Sequence, residues 1–85
     1  MEPALAIQDF LEYVISGLVG DDGELSISRE KRGDDTLFRI QLAPDEAGRV
    51  IGKHGKTISA IRSLVHASAE KHRILADVEV VREAI

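Results

Sequence analysis

The sequence predicts an α+β fold in which two or three helices cover one face of a three-stranded sheet, in the order helix, strand, strand, helix, helix, strand. Three observations carry this. Apolar residues recur at helical spacing from Ile7 to Leu18, they alternate with polar ones around Leu25–Ile27 and again around Phe38–Leu42, and a second helical stripe from Ile58 to Ala69 gives way to alternation at Ala76–Val81. The 85 residues are expected to form one domain spanning 1–85, without linker, repeat or low-complexity segment. A chain of this size buries only about 60 to 65% of its unfolded surface. With no cysteine to staple it, the fold must rest on apolar packing.

Each element has its own justification. Ile7, Phe10, Leu11, Val14, Ile15 and Leu18 form one stripe, so the first helix begins near Pro3 and ends between Gly17 and Gly20, where glycine can adopt a left-handed cap. Leu25 and Ile27 alternate with Ser26 and Ser28, and Phe38, Ile40 and Leu42 alternate with Leu37, Arg39 and Gln41, giving two strands. Between them the charged segment from Arg29 to Asp35, with its Gly33, reads as the hairpin loop. Pro44 followed by Asp45 and Glu46 opens a helix of about two turns, since proline lacks only an N–H the helix does not use and acids suit the positive dipole end. Gly52 interrupts it. After Gly55 the third helix runs to about Lys71, and Ala76 to Val81 forms the last strand.

Composition narrows the function. Met1-Glu2-Pro3 carries no basic region ahead of an apolar stretch, and no apolar run approaches the ~20 residues that span a bilayer, so a soluble cytoplasmic protein is expected. The formal charge of −4 argues against a polyanion as partner, but the charges are segregated. Between Arg49 and Arg73 lie six basic residues and one acid, a net of +5, while the remainder holds five basic and fourteen acidic residues, a net of −9.

The centre of the basic stretch is Gly52-Lys53-His54-Gly55, a turn between two helices. Glycines supply backbone angles that a Cβ forbids, and at both ends of a turn they let a ligand backbone approach the main chain. Gly55 also opens a helix whose free N–H groups attract a phosphate. Lys53, Lys56 and Arg49 add charge to the same place. His54 occupies the second outward-pointing loop position, where a neutral imidazole contributes less.

Val50-Ile51-Gly52-Lys53-His54-Gly55-Lys56-Thr57-Ile58 resembles the core signature of KH domains: an apolar pair, a GXXG loop, and an isoleucine three residues beyond it. The element order is that of the prokaryotic, type II arrangement. From Pro44 to Ala69 the run PDEAGRVIGKHGKTISAIRSLVHASA is similar to the KhpA family of small bacterial single-KH RNA-binding proteins, and essentially the whole chain matches such a protein in length and order. The resemblance implies that the loop clamps the backbone of about four single-stranded nucleotides. It further implies pairing with itself or with a larger KH partner of the Jag (KhpB) type, and a role in post-transcriptional regulation or as an RNA chaperone. By the same analogy Val50, Ile51 and Ile58 would floor an aliphatic groove, with Arg39 and Ile40 opposite. Ile51 and Ile58 are equally readable as core. An aliphatic groove also suits a chain with no Trp, one Tyr and two Phe, too few aromatics for modules that stack bases on exposed rings.

Other residues carry less. Arg62 can reach RNA or an internal acid. His66 and Glu70 have the spacing of a metal pair but no further ligands beside them, and Ser59, Ser63, His66 and Asp77 form no nucleophile elbow, so neither a metal, a cofactor nor an enzymatic activity is expected. The competing function is a dimerising adaptor with residual RNA contact, for which the small residues Ser59, Ala60, Ser63 and Ala67 would let another helix approach.

Overall fold

The computed structural model describes residues 2–19 and 25–82. Its elements are α1 (Pro3–Val19), β1 (Ser26–Arg32), β2 (Asp35–Leu42), α2 (Pro44–Ile51), a 3₁₀ turn (Lys53–Gly55), α3 (Lys56–Lys71) and β3 (Leu75–Arg82). The predicted order is the observed one.

β2 is the central strand, antiparallel to β1 and parallel to β3, so the sheet is mixed. A parallel β2–β3 pair needs a crossover, and α2, the turn and α3 supply it. Phe38, Ile40 and Leu42 are buried on one face of β2, and Val78 and Ala76 continue that face on β3. Against it pack Ile7, Leu11 and Ile15 of α1, Ala47 and Val50 of α2, and Ile58, Ile61 and Val65 of α3, in one continuous core. Each of the larger side chains contributes about 1.5–3 kcal/mol by leaving water. The opposite face is mainly polar, with Ser28, Glu30, Arg39 and Glu79, and also carries Leu37, Leu75 and Val81.

α1 ends at Val19, within the expected Gly17–Gly20 range, and buries Val19 while Leu18 stays at the exposed margin; Gly20 lies outside the described residues. One boundary differs from the sequence expectation. The 29–35 segment is mostly strand rather than loop. Arg32 pairs with Asp35, which leaves only Gly33 and Asp34 as the turn, with Gly33 at φ +59 in the first central position where two-residue hairpins place glycine. An edge strand with both margins near solvent accepts charged side chains, so a run of Arg, Glu and Lys does not break it.

Among the described residues no helix is long and apolar enough to cross a membrane.

Candidate functional site

The α2–α3 junction is built on three residues of unusual backbone within four positions. Gly52 ends α2 at φ 77, ψ 174, a region open essentially to glycine alone. His54 (φ 58, ψ 26) and Gly55 (φ 72, ψ 14) are left-handed, and the Gly55 N–H donates to the Gly52 carbonyl at 3.2 Å. Gly52 is also pressed against its surroundings: an added Cβ would stand 2.7 Å from Thr57 Cβ and closer still to its hydroxyl. A Cβ on Gly55 would meet nothing within 4 Å. The first glycine therefore closes the turn, and the second leaves open space beside it. Thr57, which the sequence did not single out, adds a steric barrier to the backbone one at Gly52.

Lys53, His54 and Lys56 are exposed around this turn. α3 begins there with no side chain capping its N-terminus; the Lys56 N–H donates to the Lys53 carbonyl, and the positive dipole end of the helix lies at the turn that carries the two lysines. Arg49, one turn earlier on α2, is also exposed, 3.9 Å from Glu46 Oε2. That distance attracts without forming a hydrogen bond, and the same carboxylate oxygen is buried with no hydrogen-bond partner.

The apolar site residues divide. Val50 (0% exposed) and Ile58 (7%) are core and support the turn from beneath, whereas Ile51 is only partly buried. Ile40 is core as well. Arg39 lies on the polar face of the sheet, away from the helices, bridging Glu30 (3.1 Å) and Glu79 (3.2 Å). The structure thus brings together Arg49, Ile51, Gly52, Lys53, His54, Gly55 and Lys56, and leaves Arg39 elsewhere.

Arg62 reaches across to β3, where it meets the backbone of Val78 and lends its charge to the neighbouring acid Asp77. Its Nε donates to the Val78 carbonyl at 3.0 Å, while the Val78 N–H donates to Asp77 Oδ1 at 2.8 Å and His66 Nε2 lies 3.2 Å from that same oxygen. Partial burial pushes the Asp77 carboxyl upward, but the Val78 amide, His66 and Arg62 outweigh it and hold it below its ordinary value. His66 is thereby engaged with a strand residue. Among the described residues no group of three or more His, Cys, Asp or Glu could hold a metal ion.

A mixed three-stranded sheet in α-β-β-α-α-β order, with a glycine-bounded turn joining the two crossover helices, is the arrangement of a type II KH domain. The profile of the KhpA/KhpB KH domain matches residues 8–80, and the chain belongs to that family. Similar curated proteins include the "RNA-binding protein KhpA" of Chlamydia caviae, 30% identical over 77 residues, which cover 91% of this chain and 99% of the relative. The protein of that name from Halalkalibacterium halodurans is 31% identical over 74 residues, covering 85% and 97% of the two chains. The one from Leifsonia xyli subsp. xyli is 36% identical over 70 residues, covering 80% and 90%.

Proposed function

We propose that residues 1–85 act as a single KH module that binds single-stranded RNA through the Gly52–Gly55 loop, as a cytoplasmic bacterial post-transcriptional regulator or RNA chaperone rather than an enzyme. The observation that carries this reading is the loop itself: open space beside Gly55, exposed Lys53 and Lys56, and the uncapped start of α3 converge where a phosphodiester backbone would lie. The names of the relatives agree with it. Ile51 supplies the apolar surface beside the loop, and Arg49 adds charge once a phosphate competes with Glu46 for it.

One module engaging about four nucleotides selects weakly, so the protein works as a homodimer or with a Jag/KhpB-type KH partner. The outer face of α3 favours this, because Leu64 is 56% exposed among Ser59, Ala60, Ser63 and Ala67. The same face supports the second reading, a dimerising adaptor with residual RNA contact.

Lys53→Asp/His54→Asp separates the two. Both side chains are exposed, so melting should change by no more than a few degrees, while affinity for an oligonucleotide of about eight bases should fall at least tenfold through phosphate repulsion. Affinity within twofold of wild type would remove the loop from the RNA site and leave the adaptor reading.

A further inference from the structure

We propose that a second anion-binding site, for phosphate groups, lies at the end of the molecule opposite the Gly52–Gly55 loop. There the start of α1, the β1–β2 hairpin and the α3–β3 turn enclose a cleft of about 690 Å³. α3 is 16 residues long and separates the two ends by ~24 Å.

Two departures from local rules converge in this cleft. The first is on β1. Its positions opposite Ile40, Phe38 and Thr36, on the helix side of the sheet, are Ile27, Arg29 and Lys31. The row on this side of the sheet thus changes from the half-buried Ile27 to the exposed cations Arg29 and Lys31 as it leaves the core and enters the cleft. The second is at Arg73. His72, Arg73 and Ile74 terminate α3 with the Arg73 N–H on the Glu70 carbonyl (3.1 Å) and the Ile74 N–H on the Ala69 carbonyl (2.9 Å), a geometry whose left-handed residue is usually glycine. Here it is Arg73, at φ 57. An arginine at that position costs about 1 kcal/mol relative to glycine, and departures of this kind concentrate at functional sites.

Arg29, Lys31 and Arg73, from two elements distant in sequence, line the cleft together with the Thr36 hydroxyl, a further hydrogen-bond donor. Glu2 and Asp34 line it too. The Glu2 carboxylate stands 3.7 Å from Arg29, in an exposed pair that is long and weak. It shows where an anion can sit, and a phosphate with two or three charge-assisted contacts would displace it. The phosphate could belong to an RNA strand that also engages the loop or to a small free phosphate compound.

Three proteins distinguish these: wild type, the loop variant Lys53→Asp/His54→Asp, and the cleft variant Lys31→Ala/Arg73→Gly, which should fold because Gly suits the left-handed turn. Each is titrated with single strands of about eight and about thirty nucleotides, the shorter being sufficient for a four-nucleotide loop site. In parallel, backbone amide shifts are followed while inorganic pyrophosphate is added. The cleft variant should bind the short strand within about twofold of wild type, bind the long one at least about fivefold more weakly, and show a salt slope for the long strand reduced by about 1.4, two phosphates' worth. Pyrophosphate shifts at Lys31 and Arg73 that vanish in the variant, with long-strand affinity unchanged, would assign the site to small phosphates. No pyrophosphate shift together with unchanged long-strand affinity overturns the proposal. The RNA reading of the loop is judged separately, by whether the loop variant loses the short strand.

Discussion

Gly52 and Gly55 are the same residue type in the same motif, yet their surroundings assign them different tasks. At Gly52 both the backbone region and Thr57 oppose a side chain, so Gly52→Ala should displace Thr57 or the turn and destabilise the protein by about 2–4 kcal/mol. Gly55→Ala meets only the left-handed penalty of about 1 kcal/mol, and its methyl group points into the space a ligand backbone would use. Thermal melts and RNA titrations on the two variants should therefore dissociate: Gly52→Ala lowers melting strongly, Gly55→Ala lowers affinity more than melting. Equal melting losses would contradict this division. The motif was legible in sequence because glycine spacing and flanking charge are written there, but the contact with Thr57 depends on how α3 leaves the turn. Arg73 was illegible for the opposite reason. Helix termini of its kind are read from a glycine, and this one carries an arginine, so nothing in the local sequence marks a left-handed residue.

Hydrophobic periodicity placed α1, α3 and the strands, since each buries a single face and leaves a stripe or an alternation behind, while α2 was read from Pro44, its first-turn acids and Gly52. It failed where an element has little to bury. β1 runs through Arg29 to Arg32 at the sheet margin, and there strand structure is held by its ladder to β2 rather than by apolar side chains. β3 presents the other margin, and Val78 shows how that edge is closed: its N–H and C=O are taken by Asp77 and Arg62, which leaves two fewer backbone groups free for another strand. Because the folded-state pKa of Asp77 is depressed, its carboxylate contributes stability that is present above the unfolded-state pKa and lost as pH falls through the folded one. Asp77→Asn keeps an acceptor for the Val78 amide but removes the charge. It should melt a few degrees below wild type at pH 7, in keeping with about 0.5–1 kcal/mol for an exposed charged acceptor in a small domain. That gap should narrow once the pH falls below the ordinary aspartate value of about 4 and close as it passes the lower folded-state value, where the wild-type aspartate also loses its charge. A gap independent of pH would place the effect in side-chain shape rather than charge.

At the scale of the whole molecule, acidic composition and basic motif make opposite forecasts, and the fold decides how they combine. α1 carries Asp9 and Glu12 with no basic residue, Arg39 is neutralised by Glu30 and Glu79, and the loop cations Lys53 and Lys56 stand at the far end of α2 and start of α3, with no ion pair to either among the described residues. A short single strand should therefore meet a small positive field set in a negative surface, making only two to four phosphate contacts. At about −0.7 per neutralised phosphate on a single strand, the logarithm of affinity should fall against the logarithm of salt with a slope of roughly −1.4 to −2.8. A duplex of the same length offers more phosphates but withholds its bases and its flexible backbone, so it should bind much more weakly in spite of its higher charge density. Titrating a labelled strand of about eight nucleotides and its duplex across several salt concentrations measures both quantities, the length being about twice the loop's footprint. If the duplex bound as tightly as the single strand, with the same or a steeper slope, the loop would be acting as a diffuse cationic patch, and the backbone clearance beside Gly55 would have no part in recognition.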